Sequence, residues 1–412
     1  MTWRNVLVAI ALVAVAGCTE SAIVLGPADA GLVDVVDTGV PDDAGRDATL
    51  DAGPIVGVKD VTAGGAHSCA VLGGALSCWG DGSEGALGIG ASGDLLAPAR
   101  VGDDRDWISI VAGQGMTCGL RSGSGLYCWG ANDVGQLGLG DRSPRAVPTP
   151  VALPGVPLLV RTARRFGCSI LDDGQLVCWG ENFEGQLGRA DASPGEDGLT
   201  PEPVASARTF LAVSTGQGHT CAIASDGTLW CWGRNTDVQL GLGAGARGQI
   251  RTPTQVGNAT SWAHVAAGQG HTCASREDGT LWCWGEDFAG QVGIALGSSF
   301  DVPTQVGTDT GWGALSTYVF HTCGVKADGT LWCWGRNAEG QLGVGDIMDR
   351  LEPTRVDDRN DWARVSAGWF HTCAQRRDGT IWCTGGNGDG RLGVGDGDRR
   401  RSFELVVGAA VE

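Results

Sequence analysis

Residues 219–233 read HTCAIASDGTLWCWG, residues 271–285 read HTCASREDGTLWCWG, and residues 321–335 read HTCGVKADGTLWCWG. Each is a pair of short β-type runs flanking an Asp-Gly step, the pattern of a hairpin whose turn needs a residue at positive φ. Taking Ser225-Asp226-Gly227 as a three-residue loop with Gly227 left-handed sets Ala224 against Thr228. Counting outward then opposes Ile223 to Leu229, Ala222 to Trp230 and Cys221 to Cys231. The same count opposes Cys273 to Cys283 and Cys323 to Cys333. Cysteines facing one another at non-hydrogen-bonded positions of an antiparallel pair lie within disulfide range.

The unit recurs. Its second cysteine is Cys78, Cys128, Cys178, Cys231, Cys283, Cys333 and Cys383, at spacings of 50 to 53 residues. Cys168 and Cys178, and Cys373 and Cys383, follow the same count, and Cys118 faces Cys128 around Ser122-Gly123-Ser124. Unit one tests the reading, because Cys69 and Cys78 are one residue closer. Its turn, Gly73-Gly74, is also one residue shorter, so Leu72 faces Ala75 and the cysteines again oppose. Seven cross-strand disulfides are expected. Zinc wants four ligands, usually as short Cys-x-x-Cys hooks, and strand-opposed pairs do not supply them; no metal is expected.

Four strands are legible per unit: a W-x-x-V run such as Trp262 to Ala266, the two hairpin strands, and a P-T-x-V run such as Pro303 to Val306. Seven such sheets of about 50 residues predict an all-β fold, a seven-bladed β-propeller of four-stranded blades over residues 55–412. The chain enters with a first-strand run, Val56 to Ala63, and leaves with a fourth-strand run, Phe403 to Val407. These are expected to complete one blade together and close the ring. The repeats G-x-x-H-T-C-A, D-G-T-L-W-C-W-G and G-Q-L-G-x-G resemble those of the regulator of chromosome condensation family, from about Val56 to Val407. Eukaryotic members act in guanine-nucleotide exchange, and the resemblance implies that activity only as an alternative. Secreted β-lactamase-inhibitory propellers, a nearer parallel, grip a protein through aromatics on one face.

Upstream lies a different kind of sequence. Arg4, an apolar run from Val6 to Ala16, and Val15-Ala16-Gly17-Cys18 resemble a bacterial lipoprotein signal, too short to span a membrane. Residues 1–17 are expected to be removed and Cys18 lipidated, which places the chain on a bacterial membrane, facing the periplasm or the cell surface. The competing reading is an ordinary secretory leader; both export the chain, which favours disulfides. Residues 19–54 carry seven Asp and one Glu against one Arg, too polar for a core, and read as a tether after the anchor. Glycine supplies 70 of 412 residues, with 16 Trp and 2 Tyr, a bias that fits repeated turns and a fixed Trp position. The net charge of −18 argues against nucleic acid and anionic headgroups as partners.

Two sets of residues are candidates for function. His67, His219, His271, His321 and His371 share one repeat position, where Met116 and Phe166 stand in the other two units. A histidine there binds metal or senses pH, or makes a structural hydrogen bond; replacement by Met and Phe favours the last. The loop between the first two strands reads Gly-Gln-Gly in three units. In unit three it is Ala163-Arg164-Arg165 before Phe166, in unit six Tyr318-Val319-Phe320, and in unit seven Gly368-Trp369-Phe370. The fold needs no large residue there, so Arg164, Arg165, Tyr318, Phe320, Trp369 and Phe370 are read as ligand-binding, the four aromatics forming one exposed patch. The competing reading folds some of them over the central channel. Paired carboxylates, a Ser-His-Asp order or a phosphate loop are not readable, so neither catalysis nor a cofactor is expected. The chain reads as a monomeric, tethered recognition module for an extracellular or periplasmic protein, or alternatively for a glycan of the cell wall.

Overall fold

The computed structural model describes residues 59–190, 195–295 and 299–408. The expected leader, Cys18 and the tether through residue 54 lie outside them. Apart from one short 3-10 turn at Ser83–Gly85, the elements are strands, arranged as seven four-stranded antiparallel sheets. In blade 1, β1 (Lys59–Ala63), β2 (His67–Leu72), β3 (Ala75–Gly80) and β4 (Leu95–Arg100) lie side by side in chain order. Blades 2 to 7 repeat this over residues 107–150, 157–203, 210–255, 262–305, 312–355 and 362–405. First strands of successive blades pack on one another around the centre, and the first strand of blade 1 meets that of blade 7.

The hairpin arithmetic holds. Cys221 faces Cys231 and Ile223 faces Leu229, with Gly227 at φ +74°. In blade 1 the two-residue turn places Gly73 and Gly74 at φ +55° and +76°, and Leu72 faces Ala75. Both central residues at positive φ make this the turn whose twist matches that of the strands. All seven disulfides form, each with Cα atoms 4.1 Å apart. Their sulfurs sit between blades, in apolar layers such as Cys221, Leu229 and Cys231 of blade 4 against Trp262 and Trp284 of blade 5.

What joins one blade to the next explains the strictest part of the repeat. Trp284 Nε1 and Thr272 Oγ1 of blade 5 both donate to the main-chain oxygen of Gln239 in the preceding blade, at 2.9 and 2.8 Å. Trp334 and Thr322 do the same to Gln291, and Trp232 and Thr220 to Gln186. The L-W-C-W strand of one unit and the G-Q-L-G element of the unit before it are therefore two halves of one seam. The closing glycine of that element, which reads Val238-Gln239-Leu240-Gly241 in blade 4, must lack a side chain: at Gly241, φ +70°, a Cβ would lie 2.7 Å from Trp284 Nε1.

Ring closure differs from the expectation. The entering strand pairs with β2 inside blade 1, and the last strand, Arg400–Leu405, pairs with Ile381–Gly385 inside blade 7. Every blade is made of four consecutive strands, and no blade is shared between the chain ends. A short loop after β1 lets that strand pair locally at small entropic cost, so nothing is left for the far end to complete. The 7–1 junction is held instead by ordinary seam bonds. Trp79 Nε1 donates to the Arg391 carbonyl (2.9 Å), Ala63 N to Ser366 Oγ (2.9 Å) and Trp369 N to the Gly64 carbonyl (3.1 Å).

Candidate functional site

The five histidines are fully buried at blade junctions. His67 Nε2 lies 2.7 Å from Thr117 Oγ1, and His219, His271 and His321 make the same contact with Thr272, Thr322 and Thr372. His371 meets Ser68 (2.8 Å) across the closing junction. Each partner hydroxyl gives its one hydrogen to a carbonyl, as Thr272 does to Gln239 and Ser68 to Arg391. It therefore accepts from the imidazole, which must carry its proton on Nε2. Nδ1 is left as a bare, buried acceptor in all five. Protonation would bury an N–H with no partner, and desolvation pushes His67 and His321 down to about 4 and His219 and His271 to about 3, with His371 also well below its usual value. These rings are neutral struts, as their replacement by Met116 and Phe166 suggested.

The variable loops open on the ring face away from the Asp-Gly turns. Tyr318 does not join an exposed patch: it is 8 % exposed and packs with Val319 and Ala367, with Phe320 and Trp369 beside them. Its loop position holds glycine in five blades. At Gly268, for instance, a Cβ would meet the next blade's main chain, the Tyr318 carbonyl, at 2.8 Å. The tyrosine is covered because its ring packs on Val319 and on Ala367 of the next blade. Burial pushes its pKa up and so keeps the phenol protonated, opposed by the Arg164 charge of blade 3, and its hydroxyl has no hydrogen-bond partner among the described residues.

The other five residues stay nearer solvent. Trp369 and Phe370 stack on each other, centroids 5.5 Å apart, and both are half-buried. Phe320 is half-buried and meets Phe288 edge-on at 4.9 Å, with the Arg336 guanidinium 5.5 Å from its centroid. Arg164 is exposed, whereas Arg165 is paired with Asp133 of blade 2 and, at 3.5 Å, with Glu181 of its own blade. Blades 5, 6 and 7 thus carry an aromatic strip, and the two arginines sit apart on blade 3. Phe288, 57 % exposed, belongs to the strip and escaped the sequence reading. It lies in the loop after the third strand, where Phe183 also stands 66 % exposed. A large apolar residue in an otherwise polar loop was the available signal. Among the described residues, no group of three or more His, Cys, Asp or Glu side chains is arranged to hold a metal.

A closed ring of seven blades, each clipped across its inner hairpin and most locked to the preceding blade by an indole bonded to a main-chain carbonyl, defines a β-propeller of the type built from regulator of chromosome condensation repeats. The RCC1-like domain matches residues 160–409 and a single RCC1 repeat matches residues 124–160; the chain belongs to the RCC1-like domain family. It is 38 % identical over 98 residues to the X-linked retinitis pigmentosa GTPase regulator homolog of Caenorhabditis elegans, covering 23 % of this chain and 7 % of that protein. It is 33 % identical over 100 residues to the ultraviolet-B receptor UVR8 of Arabidopsis thaliana, covering 24 % and 23 %. The matched stretches thus span less than a quarter of these relatives. Among solved structures, human WBSCR16 superposes with a TM-score of 0.73 at 22 % identity, over 82 % of this chain and 95 % of that one. Prp20p of Saccharomyces cerevisiae follows at 0.71 and 20 %, over 85 % and 86 %. These likenesses show the fold.

Proposed function

We propose that the chain is a non-catalytic recognition module, exported and held to a bacterial membrane by a lipid on Cys18, whose loop face binds an extracellular or periplasmic protein. The observation that carries this reading is the aromatic strip. Phe320, Trp369 and Phe370 occupy loop positions where blades 1 to 5 have small or polar residues, Phe288 stands where only blade 3 also has a phenylalanine, and the four pair at the surface of adjacent blades. Large rings that the fold does not require, held rigid by one another and partly open to solvent, are what anchors a protein interface. The seven bridges fit an oxidising compartment. Family membership leaves an exchange-factor-like role as the alternative. The solved structure of Prp20p is described with its binding to Gsp1p and histones, but the resemblance to it is one of fold.

The test immobilises the purified chain and compares capture of periplasmic and secreted proteins by wild type and by Trp369→Ala/Phe370→Ala. The double variant is expected to lose at least about tenfold in affinity, roughly the 1.4 kcal/mol or more that one anchor ring contributes. Undiminished capture removes the strip as the binding surface. Faster nucleotide release from a small GTPase on adding the chain supports the exchange alternative instead.

A further inference from the structure

Blade 7 departs from the other blades in the loop after its third strand. It reads Gly386-Asn387-Gly388, where blade 3 has Glu181-Asn182-Phe183 and blade 5 has Glu286-Asp287-Phe288. Neither glycine is one the backbone demands, since neither adopts a positive φ. A Cβ at Gly386 would meet Phe370 and Glu339 at an ordinary 3.5 to 3.6 Å, and one at Gly388 would find nothing within 4 Å. The fold has room for both side chains and the chain omits them. What their absence leaves is a cleft of about 380 Å³ between blades 6 and 7, lined by Phe370, Glu339, Arg391, Asp398 and Arg399 beside the two glycines.

We propose that this cleft binds the ring of a neutral saccharide, which goes beyond protein binding by the aromatic strip. The lining holds one aromatic ring, braced by Trp369, and otherwise two guanidinium groups and two carboxylates. Opposite charges balance: Arg399 lies 3.8 Å from Glu339, and Arg391 is paired with Asp389, a neighbour outside the lining. A charged ligand would meet a like charge as well as an opposite one. An apolar protein side chain would cover these groups without hydrogen-bonding them, at a desolvation cost. A pyranose suits the cleft better. Its C–H face packs on the Phe370 ring, and its hydroxyls donate to Glu339 and Asp398 and accept from Arg399, while Arg391 forms the cleft wall with its guanidinium spent on Asp389 and the Gly65 carbonyl. Asn387 takes no part, because its side chain is spent on the Asp396 carbonyl and the Leu392 amide. The volume lies at the small end of ligand sites, enough for one ring and part of the next.

The chain supplies its own control. Gly386→Glu/Gly388→Phe converts the blade 7 loop into the Glu-Asn-Phe of blade 3, a sequence this fold already accommodates. The experiment titrates the purified full chain with glucose, galactose, mannose, N-acetylglucosamine and the tetramer of β-1,4-linked N-acetylglucosamine, with glucuronate and glucosamine as charged comparisons. Binding is read by calorimetry and by tryptophan fluorescence. At least one neutral sugar is expected to saturate at about millimolar concentration, with the charged analogues no tighter. The loop variant is expected to lose at least about tenfold in affinity at unchanged thermal stability. Asp398→Ala/Arg399→Ala, two exposed changes, gives the same loss should the loop variant unfold. Saturation by none of the neutral sugars, or equal binding by both variants, overturns the proposal. Phe370 belongs to both surfaces, so protein capture is followed on Asp398→Ala/Arg399→Ala, which leaves the strip in place: sugar binding lost with capture retained separates the saccharide site from the protein-binding strip.

Discussion

Blades 5 and 7 have the same four strands, the same disulfide and the same buried histidine, yet they differ in two unlike ways. Inside the sheet, blade 7 has Thr384 where blade 5 has Trp284, and Phe403 where blade 5 has Pro303. These changes compensate. The Phe403 ring takes the place left by the missing indole: a Cβ on Gly343 would meet it at 2.6 Å, as one on Gly241 would meet Trp284 at 2.7 Å. Thr384 Oγ1 replaces the indole donor with a bond to the Gly340 carbonyl, 3.0 Å. Phe403 also regains the N–H that proline lacks, beside the Val344–Ser402 bridge to blade 6. In the loop, by contrast, Gly386 and Gly388 give up the Glu286 and Phe288 of blade 5, and nothing fills the space. The core tolerates exchange only when volume and hydrogen bonds are restored elsewhere, whereas the loop face is free to leave a hole.

Acid should break the comparison most strongly, because it strikes what the two blades share. Four of the five histidines have folded-state values of about 3 to 4, and burial holds His371 well below its ordinary value, against about 6.5 in an unfolded chain. The stability they allow is fully present above pH 6.5 and is lost as pH falls from there toward 4, since only the unfolded chain takes up the protons. The slope is about 1.4 kcal/mol per pH unit for each ring, several kcal/mol for the set by pH 5. Urea midpoints at pH 7 and pH 5 measure it. His271→Phe, which copies Phe166, should flatten the slope by about one ring's share; an unchanged slope would show that the histidines are not its source.

The coupled exchange comes next. Trp284→Thr in blade 5 should cost about 3 to 5 kcal/mol, and adding Pro303→Phe should return at least half of it. Thr384→Trp alone in blade 7 should cost about 1 to 3 kcal/mol by crowding Phe403. Additive costs for the blade 5 pair, by denaturant titration, would refute compensation. Replacing both cysteines of the Cys273–Cys283 or Cys373–Cys383 pair by alanine should cost roughly 2 to 3 kcal/mol in either blade, because each closes a ten-residue loop. A clear difference between the two blades would mean that the bridges do more than restrict the unfolded chain. The smallest effect is expected at Tyr318, which lies between these blades. Tyr318→Phe removes a buried hydroxyl with no partner, so melting should stay within about 1 kcal/mol of wild type or rise. A larger loss would reveal a partner for that hydroxyl.

Much of this was legible from residues close together in the chain. The turn length and the cysteine spacing changed together in blade 1, which gave the register of every hairpin and all seven bridges. The recurrence of His alongside Met116 and Phe166 pointed to a strut. Other features were hidden because their partners lie a blade away. Nothing local says that Trp284 donates to Gln239, that Phe403 stands in for an indole at position 384, or that Phe288 lies against Phe320. The closure was misread for a related reason: matching strand types at the two chain ends says nothing about which neighbour each strand pairs with.

The sequence by itself determined the blade, because turn geometry, β alternation and facing thiols all act within about 50 residues. Only the tertiary structure decided the seams, the covered position of Tyr318 and the cleft beside Phe370. Each of these depends on how closely the curvature of the ring brings loops of different blades together, a distance that no single repeat contains.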